Sequence, residues 1–309
     1  MLHAEEAVDL DTHPHVQSTL SQECAIVDCN DFGSWSPLVI PRLLTPKELR
    51  FRDVHGFACD GAGILPIMQP PNSTSTYFVL GCQEFSLHAP LAGGRWTLFG
   101  GGQHGGEMDT AATAAREFLE ESMGVIQWQE GLRDVPSSKD ALARCLRNHE
   151  FIMCFRLRYF RDGQRRFYDV FIKRIPWDPA LPTRFEAFRT ACLQQRGTLW
   201  RQAVQSHHPA LHPKTHSLRS SFAELCRLGI WSRQQLMYAT RHNNGLLFDQ
   251  NGNAMHCRSA VMPILALCLQ QLDVLEEKWQ SKKPVRVALR KQRGFVGRQL
   301  RSSRVITTM

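Results

Sequence analysis

The sequence has no apolar stretch able to cross a bilayer. Its longest, Val261 to Leu269, falls far short of the ~20 residues a helical span needs. No membrane span is therefore expected. The opening residues, MLHAEEAVDLD, are acidic where a secretory leader is basic and then apolar. Ten cysteines are present without one C-x-x-C pair, which argues against a zinc site or a disulfide frame and for reduced thiols. An intracellular chain, cytoplasmic or nuclear, is expected. There is no G-x-x-x-x-G-K-[ST], so the glycine-rich stretch described below is not a P-loop. No Ser/His/Asp or Cys/His nucleophile set can be assigned, and no internal repeat recurs.

The charge is abundant but uneven. Residues 281–309 hold nine Lys/Arg and no acid, which by itself exceeds the +8 of the whole chain. Residues 1–50 hold eight Asp/Glu against three Lys/Arg. A basic tail interleaved with Val, Leu and Phe suits contact with a phosphodiester backbone through Lys282, Lys283, Arg290, Lys291 and Arg293. A nuclear-localisation segment, a membrane-surface helix and a plain solubilising tail are the rival readings.

One stretch, Gly100 to Val125 (GGGQHGGEMDTAATAAREFLEESMGV), organises the rest. Glycines open it, and their bare backbone can approach a phosphate closely. Ala111 to Met123 then contains no Gly or Pro and reads as a helix, with Asp109 and Thr110 at its N-cap. Ala111, Ala115, Phe118 and Ser122 share one small-to-apolar side, and Glu117, Glu120 and Glu121 gather opposite. Like charges on one turn repel by a few tenths of a kcal/mol per pair, and only Arg116 relieves them. Clustered hard oxygens suit Mg²⁺ or Mn²⁺, which also bridge to phosphates. The bland alternative is an exposed acidic helix after a flexible turn.

These residues resemble the signature of the Nudix hydrolases: G, five residues, E, seven residues, then R-E-U-x-E-E-x-G-U, with U a bulky aliphatic. Gly101 and Glu107 match the opening, Arg116-Glu117-Phe118-Leu119-Glu120-Glu121 the core, and Gly124-Val125 the close. Trp96 to Gly101 resembles the family's W-x-L-P-G-G lead-in, with Phe99 in place of proline. Two spacings depart: eight residues separate Glu107 from Arg116, and two separate Glu121 from Gly124.

The resemblance implies an α+β fold, a Nudix-type α/β/α sandwich with a mixed sheet, plus a helical insert and extensions. It implies metal-dependent hydrolysis of a pyrophosphate bond, with Mg²⁺ or Mn²⁺ held by Glu117, Glu120 and Glu121. Arg116 would orient the glutamates, Gly100 and Gly101 would form the phosphate loop, and Glu107 would support the loop–helix junction. Glu120 is the first choice of general base, with Glu150 and Glu224 as further candidates. The substrate is expected to be a nucleotide or capped RNA. The rival readings are a housekeeping hydrolase of free nucleotides and a non-catalytic RNA- or nucleotide-binding protein. Oligomeric state is not legible.

The remaining elements follow from periodicity and turn chemistry. Strands are expected at Gly63–Met68, Tyr77–Gly81 and Arg95–Phe99, and a short helix at Ser137–Arg147. Two long strands, Phe151–Phe160 and Arg166–Ile175, flank an Asp-Gly hairpin turn. Helices at Thr183–Gln195 and Leu199–Ser206 form an insert over about 178–220. AELCRLGIWSRQQL reads as a late strand and short helix, and Arg258–Trp279 as a terminal helix. A helix start is expected at Thr45-Pro46-Lys47-Glu48 in an otherwise irregular arm. The domain is thus expected over 51–280, after an extension at 1–50 and before the tail at 281–309. His207, His208, His212 and His216 could hold a metal only on a helix that Pro209 and Pro213 interrupt. Trp128, Trp177, Trp200 and Trp231 are read as core or interface residues before base-stacking ones.

Overall fold

The computed structural model describes residues 28–29, 38–40, 49–52, 56–85, 93–128, 138–161, 163–242, 245–248, 252, 254–258 and 261–271. At its centre, β3 (Ala58–Met68) runs parallel to β8 (Gln164–Arg174). β7 (Met153–Arg161) forms a hairpin with β8, closing at Arg161 opposite Gln164 around Gly163 at φ 70. That positive φ is where glycine is needed, and the hairpin expected here is present.

On the other side of β3 lie β4 (Tyr77–Gln83) and β6 (Phe99–Gly102), both antiparallel to it. β4 also pairs with β5 (Trp96–Thr97) and β9 (Leu225–Ser232). The segment expected to be irregular contributes two short strands, β1 (Asp28–Cys29) and β2 (Leu38–Ile40), which pair with β7. The helix start expected at Thr45 and the tail beyond 271 lie outside the described residues.

Side-chain alternation divides this mixed sheet into two faces. Ala62, Ile64, Val79 and Phe171 enter one core, and Leu65, Ile67, Phe78, Leu80, Val170 and Ile172 enter the other. Because neighbours on a strand point oppositely, both faces must be covered, and Gly61–Met68 of β3 and Phe78–Cys82 of β4 read as unbroken apolar runs.

The first core is covered by α1 (Thr110–Glu121), α2 (Lys139–Arg147), α3 (Leu181–Gln194) and α4 (Gly197–Gln205). The second is covered by α5 (Arg233–His242) and α6 (Met262–Gln270). The result is the expected three-layer α+β architecture. α3 starts two residues earlier than expected, because Pro182 is accommodated at the helix start, where its missing N–H has no partner to lose.

Two readings need correction, and one element is new. Glycines 100–102 do form strand, because β3 supplies the ladder that their sequence alone does not promise. The segment after α5 contains a small hairpin, β10 (Leu246–Phe248) with β11 (Ala254–His256). The terminal helix begins at Met262 rather than Arg258, with Pro263 in its first turn, and is described only to Gln270.

Candidate active site

The site begins with how α1 is held. Asp109 caps the helix, accepting from the Ala112 N–H at 3.0 Å, and its carboxylate also takes Arg147 Nε at 2.7 Å and Nη2 at 3.1 Å. Thr110 Oγ1 donates to Asp169 Oδ2 at 2.9 Å. Asp169, fully buried on β8, is clamped by Arg156 through Nε at 2.7 Å and Nη2 at 2.8 Å. The N-terminus of α1 is therefore tied to α2 and to the central sheet by charge-assisted bonds.

The other end closes with two left-handed residues, Met123 at φ 53 and Gly124 at φ 66. The Gly124 N–H returns to the Leu119 carbonyl at 3.0 Å, satisfying an end of the helix that would otherwise lack a partner. Between Glu107 and the cap, Met108 projects into solvent at 79 % exposure.

Ten of the twelve residues of α1 are buried, so this is no solvated acidic helix. Phe118 packs edge-on to Phe99 of β6, with ring centroids 5.4 Å apart, which fixes the helix over the end of that strand. The carboxylates then meet the glycine strand at close range. The Gly100 N–H donates to Glu121 Oε2 at 2.6 Å. A Cβ added at Gly101 would collide with the Glu117 carboxylate, and one added at Gly100 would collide with the Tyr168 hydroxyl. Only glycine lets Glu117 lie against the strand.

Arg116 sits among the acids as a four-way clamp. Its Nε meets Glu107 Oε1 at 2.6 Å, and its Nη1 meets Glu117 Oε1 at 2.8 Å and Glu120 Oε2 at 2.9 Å. Its Nη2 donates to the Gly102 carbonyl at 2.7 Å. Glu107 also accepts from Thr113 Oγ1 at 2.7 Å and from the His104 N–H at 2.8 Å. The sequence reading named Arg116 and Glu107 but missed Thr113, whose helical i−3 position before Arg116 was the available signal.

Protonation follows from these contacts. Burial lifts Glu117 to about 7 against the pull of Arg116, helped by the charges of Glu120 and Glu224. Burial raises Glu121 well above the usual carboxylate range, with Glu117 adding to it. Burial also works on Glu107, but bonds from His104, Arg116 and Thr113 outweigh it and hold Glu107 below its ordinary value. The Tyr168 phenol is pushed up by burial and by Glu121. Glu224, although exposed as a residue, is raised by partial burial of its carboxyl and by the charge of Glu120.

Glu117, Glu120, Glu121 and Glu224 thus form one electrostatic group, in which Arg116 reaches Glu117 and Glu120 directly. Glu150 does not belong to it: its carboxylate accepts from Cys145 Sγ at 2.9 Å, and its carbonyl from Lys173 Nζ at 2.6 Å.

Among the described residues no three His, Cys, Asp or Glu side chains already converge as a metal cage. The donor set nevertheless fits a hard divalent cation. It offers only carboxylate oxygens, two of them on residues whose burial makes them resist ionisation until a positive charge arrives.

The remaining sequence candidates fall elsewhere. His208 is half-buried, packs tilted against Phe188 with ring centroids 4.9 Å apart and is drawn down to about 4 by burial. Its Nδ1 accepts from the Ala210 N–H at 3.2 Å, and His212 Nδ1 from the Lys214 N–H at 3.3 Å, so both serve local turns. Trp128 and Trp231 are buried in the two cores, the latter edge-on to Trp96 at 5.0 Å. Trp177 packs on Tyr77 at 5.2 Å. Lys282, Lys283, Arg290, Lys291 and Arg293 lie outside the described residues.

No protein-family model matches the chain, and no curated protein does. Solved structures give loose likenesses. An Ap4A hydrolase from C. elegans in a binary complex has 12 % identity and a TM-score of 0.30, over 72 % of this chain and 96 % of that one. The Nudix hydrolase RenU from M. smegmatis has 12 % identity and a TM-score of 0.31, over 74 % and 93 %. A mutT/nudix family protein from Listeria innocua has 12 % identity and a TM-score of 0.29, over 71 % and 98 %. Superpositions this loose establish neither family nor function, which leaves the site's own chemistry.

Proposed function

We propose that the chain is a metal-dependent pyrophosphohydrolase of the Nudix type, acting on a nucleoside-diphosphate-linked substrate, with the cap of mRNA as the substrate put first. The observation that carries this reading is the Arg116 clamp over Glu107, Glu117 and Glu120, set against the glycine strand that meets Glu117 and Glu121. Buried carboxylates at this density serve stability poorly, since Glu117 and Glu121 resist ionisation. Concentrated beside bare glycine backbone, they suit phosphate chemistry.

In this reading Glu117, Glu120 and Glu121 hold Mg²⁺ or Mn²⁺. When bound, the cation supplies Lewis acidity and offsets charge on the leaving phosphate. Glu120, whose side chain is 19 % exposed and the most open of the three, takes the proton from the attacking water. Glu224 is the second candidate for that step, by its electrostatic contact with Glu120. Arg116 orients its partners and is a positioning residue, not a group that meets the reacting atoms. Water adds to one phosphorus, the P–O–P bond breaks, and two phosphate-terminated products leave.

The preference for capped RNA is supported by the basic tail, nine Lys/Arg in 281–309, of which Lys282, Lys283, Arg290, Lys291 and Arg293 are proposed to track the RNA backbone. The test sets cap-labelled RNA beside a panel of free dinucleotides, with Mg²⁺ or Mn²⁺, for the full chain and for a chain lacking 281–309. Release of the labelled cap nucleotide, weakened by truncation and by salt, is the expected result. Turnover of free nucleotides alone, untouched by truncation, would overturn the RNA assignment and keep the hydrolase.

A further inference from the structure

The bulge between β4 and β9 brings two thiols together. Cys82 pairs with Arg227 and Gln83 with Leu225, which leaves Cys226 as the extra residue. In a bulge two residues face one on the partner strand, so Cys226 shares a face with Cys82 instead of opposing it. Both pack in the second core beside Met255. Cys226 Sγ lies 3.3 Å from the Cys82 carbonyl oxygen, and Cys82 Sγ lies 3.8 Å from Met255 Sδ.

Cys226 adjoins Arg227, the residue paired with Cys82. Directly paired Cα atoms on antiparallel strands stand about 4.5–5.5 Å apart, against the window of about 4.4–6.8 Å that a disulfide spans. Of the eight cysteines whose side chains are described, Cys226 is the one that is partly exposed; the other seven are buried. A hydrogen bond from Cys82 favours the Cys226 thiolate and correspondingly raises the Cys82 thiol. An accessible nucleophile beside a buried resolving thiol is the arrangement of a redox-sensitive pair.

We propose that Cys82 and Cys226 are an oxidative modification site that closes to a disulfide across the bulge. The oxidant is a hydroperoxide. The Cys226 sulfur attacks its terminal oxygen, breaking the O–O bond and leaving a sulfenic acid on Cys226 and one alcohol or water. The Cys82 sulfur then attacks the Cys226 sulfur, forming the S–S bond and releasing the hydroxyl as a second water. Two thiol protons and two electrons pass to the peroxide.

Closure has a consequence for the site above. Glu224 stands two residues before Cys226, and its carbonyl accepts the Glu84 N–H at 2.7 Å, pinning that end of β9 to the residue after Gln83. Drawing the two sulfurs to a bond of about 2.05 Å pulls the bulge inward and displaces Glu224 relative to Glu120. This consequence rests on the hydrolase reading; the thiol chemistry does not.

The test treats the reduced full chain with limiting hydrogen peroxide, blocks free thiols and maps peptides by mass spectrometry. A linked peptide joining Cys82 to Cys226, reversed by dithiothreitol, is expected. In Cys82→Ser, Cys226 should stop at a sulfenic acid that dimedone traps. Cys226 recovered as free thiol, or joined to another cysteine, would overturn the site. Turnover should fall on oxidation of the wild type and stay unchanged in Cys226→Ser. A mapped disulfide without loss of turnover would sink the link to Glu224. A reduced chain with no turnover at all would sink the hydrolase reading, while the peptide map still decides the thiol pair.

Discussion

The Gly100 N–H donates to Glu121 Oε2 at 2.6 Å, joining the start of β6 to the last turn of α1. This bond favours the charged form of Glu121, and burial outweighs it. Together with Glu117, lifted to about 7, this sets a pH dependence. Without metal, the folded chain keeps protons that the unfolded chain releases above 4.5. The folded state binds more protons in that window, so stability falls as pH rises from about 4.5 through about 7. Glu117 alone accounts for a loss on the order of 3 kcal/mol. Urea unfolding in EDTA at about pH 5.5 and about pH 8 should show it, with Mg²⁺ restoring more at the higher pH. Stability that rises across this window would contradict the burial-driven rise of Glu117 and Glu121.

Arg116 meets three carboxylates and one carbonyl through three different nitrogens, a fork that lysine cannot reproduce. Arg116→Lys should fold and should lower metal-dependent turnover by about 10–100-fold, the usual effect of losing a ligand-orienting partner. Unchanged turnover would remove Arg116 from the positioning role.

Two glycine variants should separate folding from function. A Cβ at Gly61 would collide with the Gly101 carbonyl, and backbone cannot step aside. Gly61→Ala should therefore destabilise the chain by about 1–3 kcal/mol in urea titrations. At Gly101 the obstacle is the movable end of Glu117. Gly101→Ala should stay close to wild-type stability and lose turnover as Glu117 is displaced. Equal stability losses in both would contradict the close approach of Glu117 to the strand.

Much of this was legible in the sequence because it is local. The N-cap at Asp109, the helix after it and the hairpin that turns at Gly163 are each set by a few neighbouring residues. Glu117, Glu120 and Glu121 were legible as a cluster for the same reason. What the sequence did not carry is long-range. The Arg156–Asp169 pair holds Thr110 from 59 positions away, and no local pattern announces it. The strand at glycines 100–102 depends on β3, and β1 and β2 depend on β7. Glu224 reaches the site only because β9 pairs with β4.

The buried Arg156–Asp169 pair gives a stability test. Asp169→Ala leaves the Arg156 guanidinium buried without its carboxylate and should destabilise by about 3–5 kcal/mol. Chemical unfolding measures this directly, and a loss below about 1 kcal/mol would mean that the pair does not anchor α1.

The central claim is metal-dependent hydrolysis at α1, and one comparison tests it most directly. Wild type and the double variant Glu120→Gln/Glu121→Gln are assayed side by side on capped RNA and free dinucleotides, with Mg²⁺ or Mn²⁺ and with EDTA. The account predicts turnover by the wild type that EDTA abolishes and that the double variant lacks. Wild type without metal-dependent turnover, or a double variant equally active, would contradict it and leave a nucleotide-binding protein in its place.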